Sequence, residues 1–238
     1  GGDNNGDGAG IYGGGIALRA GQRLIGDGST STLAALTGIT LGSFNSLNAF
    51  SGTRPTIANA GGDGLSLASG NTLRGLNAGT TPAADFSISG TAVGTLTISE
   101  ALINNAAGGG FDVSTSGALS VTLDSVTVVG GTSNGINLVG TTGAFTVNGG
   151  SIGGTSGADF RVSGGTSSVT YAGTISDATG LAVSVASTTS GTKTFSGAIT
   201  GAQVSLTSNT GATIAFTGGM ALTSTTSTGF NATGGVTV

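Results

Sequence analysis

This sequence predicts an all-β fold: a right-handed parallel β-helix with three short strands per rung of about 21–26 residues. Three observations lead there. Apolar-x-apolar triplets recur at a near-constant interval, the segments between them are made of turn-forming residues, and the composition leaves few other ways to fold. Of 238 residues, 49 are Gly, 39 Thr and 29 Ser, while Lys and Arg number six and Asp and Glu ten. A coiled coil needs far more Ala, Leu, Glu and Lys, and collagen needs Pro at a level that two prolines do not reach. Disordered chains lack the β-branched and aromatic residues that recur here in alternating runs.

Taken in order, the chain begins with a Gly/Asn/Asp-rich leader, residues 1–10, followed by one β-helix domain over 11–238. Ile16-Ala17-Leu18 has the alternation of a first triplet, and Arg23-Leu24-Ile25-Gly26-Asp27-Gly28 that of a second strand with its turn. Residues 29–53 carry Leu33, Leu36, Ile39, Leu41, Phe44, Leu47 and Phe50 at a spacing that suits neither strand nor helix, and they read as an inserted loop covering a flank. Arg54-Pro55-Thr56-Ile57 returns to the strand pattern.

From Leu65 the repeat is unbroken. First triplets start at Leu65, Phe86, Phe111, Ile136, Phe160, Leu181, Val204 and Phe230. Second triplets start at Leu96, Val121, Phe145, Val169, Lys193 and Ile214, and a third apolar position falls at Ile103, Val126, Ile152, Ile175, Ile199 and Met220. Period-two segments this short form one rung, and stacking rungs about 4.8 Å apart pairs each strand with its equivalent in parallel. The right hand follows from the handedness of connections between parallel strands. Lys193 falls at an inward position, where a packed stem with its head in water is expected, and Tyr171 should find a partner for its hydroxyl.

The same residues limit the chemistry. With no Cys and no His, thiolate sites, disulfides and the commonest general base and metal ligand are excluded. The six cations are scattered, so no nucleic-acid stripe exists, and no run of about 18 apolar residues predicts membrane insertion. Carboxylates fail to fall at matching places in neighbouring rungs: the outward column of the first triplets reads Ser66, Ser87, Asp112, Asn137, Arg161, Ala182, Ser205, Asn231. No catalytic residue is assigned. Asp3, Asn5 and Asp7 open a calcium-loop pattern whose twelfth position is Gly14, so an acid is missing and no cofactor is expected beyond loosely held calcium. The most regular outward feature is a column of Thr97, Thr122, Thr146, Thr170 and Thr194, which is a candidate binding face for a glycan or for ice.

Gly15-Ile16-Ala17-Leu18-Arg19-Ala20-Gly21-Gln22-Arg23-Leu24-Ile25-Gly26-Asp27-Gly28, Gly61 to Gly75 and the later rungs resemble the repetitive β-helix regions of large bacterial surface adhesins and autotransporter passengers, whose fold is similar to that of pectate lyases. That resemblance implies an extracellular, surface-displayed, non-catalytic stalk or fibre segment. Other expectations are a carbohydrate- or ice-binding module and, further off, a polysaccharide lyase or hydrolase. Two further expectations concern partners: self-association through open coil ends or continuation in a longer chain, and contact with a glycan or host surface.

Overall fold

The computed structural model describes residues 11–39, 50, 52–224, 228–235 and 237–238. Parallel strands stack as a β-solenoid of about seven turns with almost no helix. Alternate residues of a strand point to opposite faces, so a repeated triplet delivers the same inward positions once per rung. The first ladder places Ile16, Leu65, Ile88, Phe111, Ile136, Phe160, Val183, Val204 and Phe230 in register. The second runs Leu24, Leu73, Ile98, Val121, Phe145, Val169, Lys193, Ile214. A third begins Tyr12, Ile57, Ala78, Ile103, Val126.

Several triplets sit two residues from where the spacing puts them. Ile88, not Phe86, stacks between Leu65 and Phe111, and Val183, not Leu181, stacks on Phe160. Ile98 rather than Leu96 lies on Val121. In the third ladder Val126 meets Gly150, and it is Val128 that pairs with Ile152 and so leads on to Ile175, Ile199 and Met220. A slip of two leaves each side chain on its own face, so alternation cannot report it. Corner length decides it, and the register shifts fall at corners, at Gly90/Ala92, Ala92/Thr95, Ile98/Ala101 and Asp177/Leu181/Val183.

The strands are not all short. Phe86–Asn105 and Gly109–Val129 run through their corners without a break, 20 and 21 residues long. The extended backbone continues round the bend, but pairing between these two rungs slips there and resumes on the next face. Glu100 takes a left-handed backbone conformation at one such corner, with φ of 51°.

The core is one continuous column. Phe111, Phe145, Phe160, Tyr171 and Phe195 are fully buried, and their rings touch in sequence with centroids 5.1 Å (Phe111–Phe145), 6.4 Å (Phe145–Phe160) and 5.2 Å (Phe160–Phe195) apart. Each such ring contributes about 1.5–3 kcal/mol through burial, with a further increment from edge-to-face contact. Tyr171 donates its hydroxyl to the Thr174 carbonyl at 3.2 Å. At the outermost rungs Ile11, Met220 and Phe230 remain exposed.

Lys193 departs from expectation. Its side chain is wholly buried between Val169 and Ile214, and its Nζ donates to the Ser190 carbonyl at 2.6 Å rather than reaching water. Burial lowers its pKa from 10.5 to about 8. The stem follows the inward direction of the strand, and the nearby corner carbonyl captures the head.

The inserted segment contains the helix Leu33–Thr37, capped by the Thr32 hydroxyl accepting from the Ala35 amide and by Gly38 at φ of 70°. It leaves the coil beside Gly75, whose φ of 67° and lack of a side chain are both required, since a Cβ there would lie 2.3 Å from the Ser29 amide nitrogen.

Two outcomes follow from this packing. Phe160→Ala, which empties the middle of the ring column, should cost about 3–5 kcal/mol in denaturant titration. Lys193→Met should raise stability at neutral pH. The folded state disfavours the charged amine, so wild-type stability climbs as pH rises from about 8 to 10.5; in the methionine variant that climb should be absent.

Candidate functional site

Three surface regions gather the polar chemistry of the described residues. The first lies outside the first ladder. Register replaces Ser87 by Ser89 and Ala182 by Ser184 in the outward column, so it reads Ser66, Ser89, Asp112, Asn137, Arg161, Ser184, Ser205, Asn231. Its middle is a hydrogen-bonded chain. Arg161 Nη1 donates to Asn137 Oδ1 at 2.8 Å, and Asn137 Nδ2 donates to Asp112 Oδ1 at 2.6 Å. One rung further, Ser89 Oγ donates to Asp63 Oδ2 at 2.5 Å, while Asp63 Oδ1 accepts the Phe86 amide at 2.7 Å.

Asp112 and Arg161, two rungs apart and isolated by spacing alone, are therefore joined through Asn137. Asp63 was missed by the column reading because it sits in the turn before Leu65 and reaches up a rung; no repeat position marks it. Burial pushes the Asp112 carboxyl above its usual pKa, the Asn137 amide opposes this, and the Asp63 charge adds to the rise. Both Asp63 oxygens and the Asp112 oxygen facing Asn137 already accept hydrogen bonds. The chain fastens rungs to one another more than it presents a free acid and base.

The second region is the hydroxyl face of the second ladder. Thr122, Thr146, Thr170 and Thr194 stack in register and end at Ala215. Thr97 does not belong to this column. The two-residue slip at Ile98 puts it in the flanking one, opposite Ser120, which continues through Ala144, Ser168, Thr192 and Thr213. Thr122 and Thr170 are exposed, and Thr146 and Thr194 half-buried. Asp3, Asn5 and Asp7 lie outside the described residues.

The third region is the corner where the inserted segment meets the coil. Glu100 takes Arg74 in a two-pronged contact, Nε to Oε2 at 2.5 Å and Nη2 to Oε1 at 3.0 Å, and also accepts from the amide and hydroxyl of Thr30. Arg54, just past the segment, pairs with Asp124, and Arg23 donates to the Leu36 carbonyl at 2.5 Å. Both ends of the segment are thus tied to later rungs. Spacing gave no hint of this, since Thr30 and Glu100 are 70 residues apart, as are Arg54 and Asp124.

Among the described residues no group of three or more Asp or Glu could hold a metal ion, and no helix is long and apolar enough to cross a membrane. The comparisons with known proteins found no matching family model, no matching curated protein and no matching solved structure.

The Arg74 hydrogen bonds, ahead of those from Thr30, hold the Glu100 carboxyl at about 2, below its usual 4.5. A carboxyl with a lowered folded-state pKa contributes stability above pH 4.5 and loses it as pH falls from 4.5 towards 2. Glu100→Gln should flatten that part of the acid limb in thermal melts. An unchanged acid limb would show that the clamp adds nothing to folding.

Proposed function

We propose that this chain is a rigid, non-catalytic spacer from a secreted or surface-displayed protein, the role implied by its resemblance to bacterial adhesin and autotransporter repeats. The observation that carries the reading is the stack of parallel ladders around one buried apolar column, ringed from Phe111 to Phe230. Such a column is stiff because bending it would open hydrogen bonds and separate packed side chains in successive rungs at once. The pairing of Arg74 with Glu100, Arg54 with Asp124 and Arg161 with the Asn137–Asp112 chain supports it further, since these groups are engaged in holding the structure. A low-charge, hydroxyl-rich exterior suits a surface that meets varied salt and pH.

The in-register run Thr122, Thr146, Thr170, Thr194 favours a second reading, a glycan- or ice-binding face. The two readings separate cleanly. A spacer should resist proteinase K at 37 °C from about Leu65 to Ile214, and it should give no signal on a glycan array, no thermal hysteresis and no turnover of acidic or neutral polysaccharides. Rapid cleavage inside the ladder or any polysaccharide turnover overturns the spacer reading. A glycan or hysteresis signal abolished by Thr146→Leu with Thr170→Leu establishes the second.

A further inference from the structure

The corner that leads from the third strand of a rung to the first strand of the next contains two buried acids that belong to none of the three polar regions. Asp159 is fully buried and Asp177 is 2% exposed. They occupy this corner in adjacent rungs, because Ile152 pairs with Ile175 before it and Phe160 with Val183 after it. Each uses one oxygen to close its own turn. Asp159 Oδ1 accepts from the Thr155 amide at 3.2 Å and its hydroxyl at 2.9 Å, and Asp177 Oδ1 accepts from the amides of Thr179 and Gly180 at 3.0 and 2.9 Å. The other oxygen of each, Oδ2, is buried and meets no donor among the described residues.

Asn105 shows what this corner looks like when saturated. It turns the same bend in an earlier rung, and its Oδ1 accepts from the amides of Ala107 and Gly108 as Asp177 Oδ1 does from Thr179 and Gly180. Its second atom is a donor, and Nδ2 gives hydrogen bonds to Thr81, Ser87 and the Gly109 carbonyl. Asp177 puts a carboxylate where Asn105 has that amide, so its second oxygen stays bare, and Asp159 at the far end of the bend adds another bare anionic oxygen to the interior. A buried carboxylate without compensation costs several kcal/mol, and buried polar atoms left without a protein partner mark a bound water or ion.

The geometry points to a binding site for a hard divalent cation of calcium's size, held between the Asp159 and Asp177 Oδ2 atoms. Register continued from Ile152–Ile175 sets Asp177 over Gly154, not over Asp159. Asp159 reaches back to Thr155, the residue after Gly154, so its carboxylate comes to the end of the corner that Asp177 occupies one rung on. A rung spacing of about 4.8 Å, twice the calcium–oxygen distance of about 2.4 Å, suits one ion shared there. Thr hydroxyls, corner carbonyls and water complete an all-oxygen shell of the kind calcium prefers. Two negative charges match a divalent ion. Among the described residues, the charge acting on Asp159 is that of Asp177; with burial, it raises the Asp159 pKa to about 6, which still leaves the carboxylate largely ionised at neutral pH. Access is short, since Ala178 and Thr179 directly above Asp177 are exposed. The site differs from the Asp3–Asp7 leader pattern, which has no part in it.

Calcium-stripped protein, titrated with calcium chloride, tests this by thermal unfolding and by terbium luminescence. Tyrosine can sensitise terbium, and of the two tyrosines Tyr171 is the one whose phenol feels the Asp159 charge. Calcium at a hundredfold excess over its Kd should raise Tm by about 5–10 °C. One terbium per chain should luminesce through tyrosine. Asp177→Asn should abolish both effects, Tyr171→Phe should abolish the emission alone, and Asp3→Asn with Asp7→Asn should leave both intact. Overturning results are no calcium-dependent shift, a shift that survives Asp177→Asn, or one lost in the Asp3/Asp7 variant. Should Asp177→Asn fail to fold, Tyr171→Phe decides: emission that persists without Tyr171 places the ion elsewhere.

Discussion

Stacking in parallel at one rung's spacing is the constraint on which the rest of this molecule depends. Every strand must bond to its equivalent above and below, so each inward position becomes a column rather than a single contact. A residue that fits badly then disturbs two neighbours, while one that fits well is supported by both. This explains why the interior is filled by large apolar side chains in long runs, and why aromatic rings meet one another from Phe111 to Phe230. It also explains how a chain with so few charges folds at all, since ladder bonds and burial are the two terms that accumulate per rung.

Corners are where that regularity has to be negotiated. Backbone groups that leave the ladder at a bend need other partners, and buried side chains supply them. Asn71 accepts the Ala68 amide and donates to the carbonyls of Arg19 and Gln22 in the rung below, and Asn209 binds Thr188 and the Val185 carbonyl in the same manner. Thr141 and Ser167 join hydroxyls between rungs. Asp159 and Asp177 belong to this class by position, and each closes its corner with one carboxylate oxygen, whereas Asp63 uses both oxygens on the next rung, at the Phe86 amide and the Ser89 hydroxyl. They differ from the asparagines in having no donor to offer, and the charge that remains is what sets these corners apart chemically. Glu100 and Asp124 fasten the two ends of the segment between Ser29 and Arg54 to the coil, through Thr30 and Arg54.

The division of labour between faces follows from the same geometry. Outward positions of the second ladder carry small hydroxyl residues, exposed at Thr122 and Thr170 and half-buried at Thr146 and Thr194, and stacked Thr side chains support their neighbours. Outward positions of the first ladder are nearly buried at Ser89, Asp112 and Asn137, 8% exposed each, so there the polar groups bond to one another rather than to water. Two surfaces of one coil thus present very different chemistry: one an open row of hydroxyls, the other a closed polar seam.

The sequence by itself determined the class of fold, the inward columns and the exclusion of thiol and imidazole chemistry, because period-two alternation and a fixed repeat length are local properties that survive without knowledge of the neighbours. Tertiary structure alone decided the register. Ile88 against Phe86, Val183 against Leu181 and the displacement of Thr97 from the threonine column each turn on a shift of two residues, which keeps the face and changes only the partner. It decided, too, every polar contact that crosses rungs. The links from Asp63 to Ser89, from Thr30 to Glu100 and from Arg54 to Asp124 depend on how far a side chain reaches once neighbouring turns are stacked, and distance along the chain carries no record of that.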